Sequence, residues 1–261
     1  MNILFIGDIV GKPGRRALAQ HLKIVREQYD IDLCIGNGEN AAGGFGLTPE
    51  VADDLFDLGI DVITSGNHIF DKREIIDHLA YETRILRPAN YPPEAPGKGS
   101  VVVKTSKGEA VGVLNLMGRV FIDAIDCPFK KADKEVAKLK EQAKVIFVDM
   151  HAEVTSEKVA MGWYLDGRVS AVLGSHTHIQ TADERVLPQG TAYLTDAGMT
   201  GPENSVIGIN TEMAISKFIS RMPRRLETAS GSSQFCGAVI EIDGQTGRAG
   251  KIQRVQIRSI Q

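Results

Sequence analysis

Six short apolar segments of this chain each end directly in a polar cluster, and this pattern constrains the fold more than any other feature. In chain order the clusters are Gly7-Asp8, Gly36-Asn37-Gly38-Glu39-Asn40, Gly66-Asn67-His68, His151, Gly174-Ser175-His176-Thr177-His178 and Thr195-Asp196. Ligands of open α/β sheets bind outside the carboxyl ends of the strands. We therefore expect the six clusters to face one crevice, with glycines allowing the sharp turns.

Helices and strands alternate between these clusters. The predicted strands are Asn2–Ile6, Asp32–Ile35, Asp61–Thr64, Ser100–Thr105, Ala110–Leu116, Val145–Met150, Val169–Leu173, Thr191–Thr195, Gly237–Ile242 and Ile252–Ile257. The predicted helices are Arg15–Tyr29, Pro49–Leu58 after the N-cap Thr48, Asp71–Leu79, Ala132–Ala143 and Ser156–Leu165. Lys107-Gly108 predicts a hairpin between two of the strands. Without a repeat or linker, we expect one α/β domain over residues 1–261, with a mixed sheet or two packed sheets.

Charge and cysteine content narrow the class of protein. The 30 Lys and Arg residues against 33 Asp and Glu give a net charge of -3, which argues against a general nucleic-acid binder. No apolar run reaches the roughly 18 residues that cross a bilayer, and the N-terminus does not resemble a signal peptide. The three cysteines are far apart, which argues against a disulfide framework. We therefore expect a cytoplasmic protein.

The clusters supply a set of metal ligands. It comprises the carboxylates of Asp8 and Glu39, the amides of Asn40 and Asn67, and the imidazoles of His68, His151, His176 and His178. Imidazole with carboxylate suits manganese, iron or zinc better than calcium. One tetrahedral zinc takes four ligands, so the set fits two metals bridged by a carboxylate. Singly, each residue has an ordinary alternative as a cap or turn residue, but their coincidence at strand ends favours a metal site.

Two other histidines do not join this set. His21 and His78 fall in amphipathic helices without companion ligands, and we interpret them as packing or surface residues.

The ordered motifs resemble the calcineurin-like metallophosphoesterases. The matching residues are Asp8, Glu39, Gly66-Asn67-His68, His151 and His176-Thr177-His178. Three details depart from the usual pattern: Val10 stands where a histidine ligand is common, Glu39 replaces an aspartate and precedes Asn40, and Asp71 comes three residues after the Asn-His pair. These departures, with the stretches 36–44 and 196–202, are similar to one bacterial branch, the YmdB-like phosphodiesterases.

This resemblance implies a four-layer α/β/β/α sandwich with mixed sheets, and a di-metal phosphodiesterase acting on cyclic nucleotides, notably 2′,3′-cyclic ones. It implies that Asp8 and His178 hold one metal, with Asn40 standing in for the missing histidine. Asn67, His151 and His176 would hold the other metal, and Glu39 would bridge the two. We expect iron first and manganese next from the mixed ligands.

A mechanism follows from this ligand set. A hydroxide bridging the metals would attack phosphorus in line. His68 would protonate the leaving alkoxide, with Asp71 orienting it. An alternative for His68 is that it holds the metal-bound phosphate.

Several alternatives stay open at this point. The same metals could serve a phosphomonoesterase or protein phosphatase, or the metal site could be structural in a regulatory nucleotide- or RNA-sensing protein. We expect a cyclic nucleotide or small phosphodiester as substrate, no membrane and no extended nucleic acid as partner, and we leave a homo-oligomer open.

Secondary candidates surround the main set. Phe45 could stack on a base or only anchor a turn. Three arginines, Arg221, Arg224 and Arg225, could grip a second phosphate or form a solvated face. Three acids, Asp149, Glu153 and Asp196, are candidates to orient ligand histidines.

Overall fold

Two β-sheets stack face to face, and each carries helices on its outer surface. The computed structural model describes residues 1–223 and 225–258. The strands are β1 (Asn2–Ile6), β2 (Asp8–Ile9), β3 (Leu33–Asn37), β4 (Val62–Thr64), β5 (Ser100–Lys104), β6 (Ala110–Met117), β7 (Val145–His151), β8 (Ala171–Ser175), β9 (Arg185–Val186), β10 (Ala192–Leu194), β11 (Met199–Pro202), β12 (Ser233–Ile242) and β13 (Ala249–Arg258). The helices are α1 (Gly11–Gln28), α2 (Pro49–Asp57), α3 (Glu74–His78), α4 (Pro128–Lys140), α5 (Thr155–Leu165) and α6 (Thr211–Ser220).

Both sheets are mixed. The first has the order β2-β11-β12-β1-β3-β4, with β13 paired to β12. In it β1, β3 and β4 run parallel, while β12 is antiparallel to β1. The second has the order β5-β6-β7-β8-β10-β9. Its four inner strands are parallel, and β5 and β9 are antiparallel edges. The parallel strands therefore end together at one edge of each sheet.

Side chains alternate between the two faces of each sheet and so build three apolar layers. On β1, Ile3 and Phe5 face the second sheet, where the Phe5 ring lies 5.0 Å from that of Phe147. Leu4 and Ile6 face the opposite way, toward α1, α2 and α3. The outer face of the second sheet is covered by α4 and α5. The predicted α/β/β/α sandwich with mixed sheets is thereby confirmed.

Most predicted elements are present, but the bounds of three helices were wrong. Helix α1 begins at Gly11 rather than Arg15, because the extended Val10 serves as its N-cap and Pro13 fits the first turn. Helix α4 spans Pro128–Lys140 rather than Ala132–Ala143. Helix α3 shortens to Glu74–His78, since the residues before it form turns.

Four elements of the structure were not predicted from the sequence. Strands β2, β9 and β11 have two to four residues, too few to show a period. Helix α6 is capped by Asn210, whose side chain accepts from the Met213 amide at 3.1 Å.

Among the described residues, no helix combines the length and apolar character needed to cross a membrane.

Candidate metal centre

The carboxyl ends of strands from both sheets meet in one polar cluster. At the end of β3, the Asn37 amide donates to Asp149 Oδ2 of β7 across 3.2 Å, which joins the two sheets. Four further strand ends contribute: those of β1, β4, β7 and β8 are followed or closed by Asp8, Asn67, His151 and His176. The structure thus brings the sequence-derived residues to one place.

His151 lies at the centre of this cluster and is completely buried. Its Nε2 atom is 3.1 Å from Asn67 Oδ1, 3.2 Å from Glu39 Oε1 and 3.0 Å from His176 Nδ1. One imidazole nitrogen donates at most one hydrogen bond, yet three electron-rich atoms surround this one. A cation bound between these atoms would interact favourably with all of them. Glu39, His151 and His176 also have the mutual spacing of a metal-binding group.

Neighbouring side chains fix which histidine nitrogens carry protons. Ser175 donates its hydroxyl proton to Asp149 Oδ1 at 2.7 Å, so its oxygen accepts from His151 Nδ1 at 2.9 Å. His176 Nε2 lies 3.1 Å from Glu153 Oε2, so this carboxylate favours the tautomer that carries the proton on Nε2. The remaining nitrogens, His151 Nε2 and His176 Nδ1, then point their lone pairs at each other across 3.0 Å. That arrangement is repulsive unless a proton or a metal ion lies between them.

Asp8, Asn40 and His178 form a second group beside the first. His178 Nδ1 donates to the Ile207 carbonyl at 2.8 Å, which leaves Nε2 as an acceptor. That nitrogen is 3.2 Å from Asn40 Nδ2 and 3.8 Å from Asp8 Oδ1. Asp8 Oδ2 accepts from the His176 amide at 3.0 Å, but the buried Oδ1 has no hydrogen-bond partner among the described residues. A buried carboxylate oxygen without a partner is costly, and binding a cation would remove that cost.

Burial and charge shift the pKa values in this cluster. Burial raises the pKa of Asp8, and it raises the pKa of Asp149 to about 6. Burial would also raise the pKa of Glu39, but the adjacent His151 reverses the shift and lowers it to about 2. Burial would lower the pKa of His151, yet Glu39 and the other carboxylates raise it to about 9. Three buried carboxylates thus create a demand for positive charge at this site.

His176 responds differently because burial and the neighbouring His151 lower its pKa to about 3. A neutral imidazole is the form that binds metals. Imidazole, carboxylate and amide donors in one buried cluster fit iron, manganese or zinc. The residues present therefore fit a transition-metal centre.

His68 lies at the rim of the cluster rather than inside it. Its Nδ1 is 2.8 Å from Asp71 Oδ2, so the predicted pairing of these residues is present in the structure. The Phe45 ring packs edge-on against the imidazole at 5.2 Å. Both side chains line a cavity of about 320 Å³ that is shared with His176 and His178. His68 therefore faces the space that a substrate would enter.

The loop that carries two of the histidines has an unusual backbone. His176 and His178 have φ angles of 100° and 65°, so left-handed geometry rather than strand alternation turns both toward the cavity. Between them, Thr177 donates its amide and hydroxyl to Asp196 Oδ2 at 3.1 and 2.7 Å. The same oxygen accepts from Lys158 Nζ at 2.7 Å, and both residues of this ion pair are buried. Strained residues persist where surrounding contacts fix them.

Gly66 allows the strand ends to approach closely. A Cβ atom at this position would overlap the His151 ring and the Glu39 carboxylate. The glycine of the Gly-Asn-His block is therefore a packing requirement of the cluster.

The three acids named as possible orienting groups have distinct contacts. Glu153 contacts His176 directly, Asp149 reaches His151 through Ser175, and Asp196 holds Thr177. Lys158 was missed, because a lysine in a helix gives no sign of burial. Asn37 was noted only as part of its cluster.

The remaining candidates lie apart from the centre. Arg225 lines a neighbouring cavity, Arg221 lines another, and Arg224 lies outside the described residues. His21 packs against Phe235, with ring centroids 6.5 Å apart. His78 contacts Tyr81, consistent with a packing or surface residue.

Comparison with known proteins agrees with this geometry. A Bacillus subtilis (strain 168) protein named 2′,3′-cyclic-nucleotide 2′-phosphodiesterase is 48% identical over 257 residues, covering 98% of this chain and 97% of that protein. The crystal structure of a hypothetical protein from Thermus thermophilus has a TM-score of 0.93 and 41% identity, with complete coverage of both chains. The structure of a novel phosphatase from Mycoplasma pneumoniae also has a TM-score of 0.93, with 33% identity, covering 99% of this chain and 93% of that one.

The sandwich and the cluster at its strand ends define the metallophosphoesterase type of protein. Within that type, the family model described as YmdB-like protein matches residues 4–255. The chain belongs to the YmdB-like family.

Proposed function

We propose that this protein is a metal-dependent phosphodiesterase that hydrolyses 2′,3′-cyclic nucleotides to nucleoside 3′-phosphates. The observation that carries the proposal is the convergence of three ligand atoms on His151 Nε2 at 3.0–3.2 Å, with His68 at the rim. The name of the Bacillus relative supports the substrate class and the choice of the 2′ bond.

Two metal ions would occupy the cluster in this proposal. Asp8, Asn40 and His178 would hold one ion, while Asn67, His151 and His176 would hold the other. Glu39 would bridge them, which its position supports because Oε1 lies 3.2 Å from both His151 Nε2 and Asn40 Nδ2. The mixed donors favour iron, with manganese next. When bound, such ions supply positive charge for the phosphodiester and lower the pKa of the attacking water.

His68 would act as the general acid. As the oxygen of a deprotonated water adds to phosphorus and the P–O2′ bond breaks, the departing O2′ alkoxide takes a proton from His68 Nε2, and the proton lost by the water passes to solvent. Asp71, 2.8 Å from Nδ1, stabilises the imidazolium and keeps Nε2 directed into the cavity. Phe45 restricts the ring from the side. The product is a nucleoside 3′-phosphate with a free 2′ hydroxyl.

A phosphatase is the competing activity, because the Mycoplasma relative carries that name. The test is the metal-loaded protein assayed against 2′,3′-cyclic nucleotides, linear diesters and nucleoside 3′-phosphates, with Glu39→Gln as the control for contaminating enzymes. We expect the highest kcat/KM with the cyclic diesters. Release of phosphate from monoesters while cyclic diesters stay intact would refute the proposal in favour of a phosphatase.

A further inference from the structure

A second cavity lies beside the active-site cavity, which is the one lined by His68, His176 and His178. The lining of this second cavity carries a local excess of positive charge. The second cavity measures about 450 Å³ and is lined by Lys12 and Arg16 of α1 and by Arg225. Glu227 contributes a carboxylate to the same wall, so three cations oppose one anion. The whole chain has a net charge of -3, so this excess is a local feature.

Helix stability does not explain these cations. The first turn of α1 contains no acidic residue, although a helix N-terminus favours negative charge and disfavours positive charge. Arg15 is accounted for by its hydrogen bond to the Ala41 carbonyl at 2.6 Å. Arg16 donates to the Gly231 carbonyl, which holds its guanidinium at the cavity. Within residues 1–223 and 225–258, neither Lys12 nor Arg225 has an ion-pair partner.

The same short segments of the chain line both cavities and form the wall between them. Val10, Gly44 and Leu226 line the active-site cavity, and their neighbours Lys12 and Gly43 line the basic one together with Leu226. A ligand that spans this boundary would carry one phosphate into the metal cluster and a second phosphate into the basic cavity.

The boundary is held in place by a contact between its two sides. Thr228 donates to the Gly43 carbonyl at 3.2 Å and so joins the segment after α6 to the glycine-rich turn. The wall between the cavities is therefore built from the loop that also carries Phe45.

On the basis of the proposed phosphodiesterase function, we propose that the basic cavity binds the phosphate attached to O5′ of the reacting nucleotide. A free 2′,3′-cyclic mononucleotide has only a hydroxyl at O5′ and leaves this cavity unused. A short oligoribonucleotide that ends in a 2′,3′-cyclic phosphate presents a negatively charged phosphodiester there. The preferred substrate is then the 3′ end of such an oligoribonucleotide, not an extended polymer.

Three substrates with the same base test this inference. They are the 2′,3′-cyclic mononucleotide, its 5′-phosphorylated form, and a dinucleotide with a terminal 2′,3′-cyclic phosphate. We expect kcat/KM for both phosphorylated substrates to exceed that of the mononucleotide by about tenfold, as expected for a few exposed ion pairs. The difference should shrink as salt is raised. A preference for the dinucleotide alone would show that the second nucleoside, rather than the phosphate on O5′, is recognised, and would overturn the inference.

Matched variants assign the preference to this cavity. Lys12→Gln/Arg225→Gln should reduce the ratio of kcat/KM values between dinucleotide and mononucleotide to near one. Lys23→Gln/Arg248→Gln removes the same charge elsewhere and should keep the ratio, because Lys23 is exposed farther along α1 and Arg248 lies near the amino end of β1. Equal kcat/KM values in the parent protein, or a ratio that survives loss of Lys12 and Arg225, would overturn the inference and leave the proposed function standing. Failure to cleave any cyclic phosphate would instead refute the proposed function, and this inference with it.

Discussion

Lys158→Met tests whether the buried ion pair beneath the histidine loop stabilises the protein. Methionine is of similar length and apolar, so packing is largely kept while the charge is lost. The parent Lys158 Nζ lies 2.7 Å from Asp196 Oδ2 and 2.6 Å from the Ser175 carbonyl. Breaking a buried pair by removing one partner costs about 3–5 kcal/mol. Asp196 keeps the amide and hydroxyl of Thr177 and the Gly198 amide as donors. We therefore expect the free energy of unfolding to fall by about 3 kcal/mol.

Thermal and chemical unfolding of the variant measure this loss. For a chain of this size, about 3 kcal/mol corresponds to a fall in Tm of roughly 6–12 °C. Lys158→Met/Asp196→Asn should recover part of the stability, because no unpaired charge then stays buried. Activity should fall about 10–100-fold in Asp196→Asn, since Asp196 holds the residue between two histidines. A Lys158→Met variant within about 1 kcal/mol of the parent would refute the importance of the pair.

Three further predictions concern the chemistry of the site. Glu39→Gln keeps its shape but loses a charge, so diester hydrolysis should fall by more than about 100-fold with the fold intact; a near-parental rate would show that Glu39 is not the bridge. The His68→Ala variant should keep both metal ions, and its kcat with a cyclic nucleotide should fall about 10²–10⁴-fold. Its kcat with a nitrophenyl diester should fall less, because that leaving group needs no proton. Equal losses of kcat on the two substrates would indicate that His68 positions the phosphate. Loss of metal from the variant, as we expect for His151→Ala, would show that His68 is a ligand. Elemental analysis after reconstitution with iron or manganese should give about two ions per chain; one ion or none would contradict the di-metal centre.

The layered fold could be predicted from sequence because strands that are buried on both faces are apolar along their whole length. Ile3 and Phe5 alternate with Leu4 and Ile6 between two apolar layers, so β1 shows as a continuous apolar run. Helix starts were less predictable. The segment Gly11-Lys12-Pro13-Gly14 has the composition of a turn, yet tertiary contacts continue α1 through it. Short pairings such as β2 with β11 depend on distant residues and leave no local pattern.

The candidate site was predictable to the extent that its side chains follow strands. Asp8, Glu39, Asn67, His151 and His176 are brought together because their strands are parallel neighbours or belong to facing sheets. The supporting contacts were not predictable. Hydrogen bonds such as that from Ser175 to Asp149 depend on side-chain orientation, which the order of residues does not specify.

The left-handed backbone of the His176-Thr177-His178 loop depends on hydrogen bonds to residues that are distant in the sequence. Left-handed geometry at a non-glycine residue costs on the order of 1–3 kcal/mol, so the two histidines would not keep it alone. Asp8 fixes the first of them through the His176 amide at 3.0 Å, and Asp196 fixes Thr177 between them. Asp8 Oδ2 is thereby occupied with the backbone, and only Oδ1 is left to meet a cation. Asp8 therefore orders the loop and, in the proposed site, would also supply a ligand atom, so its substitution should disturb His176 as well as the metal that we assign to Asp8.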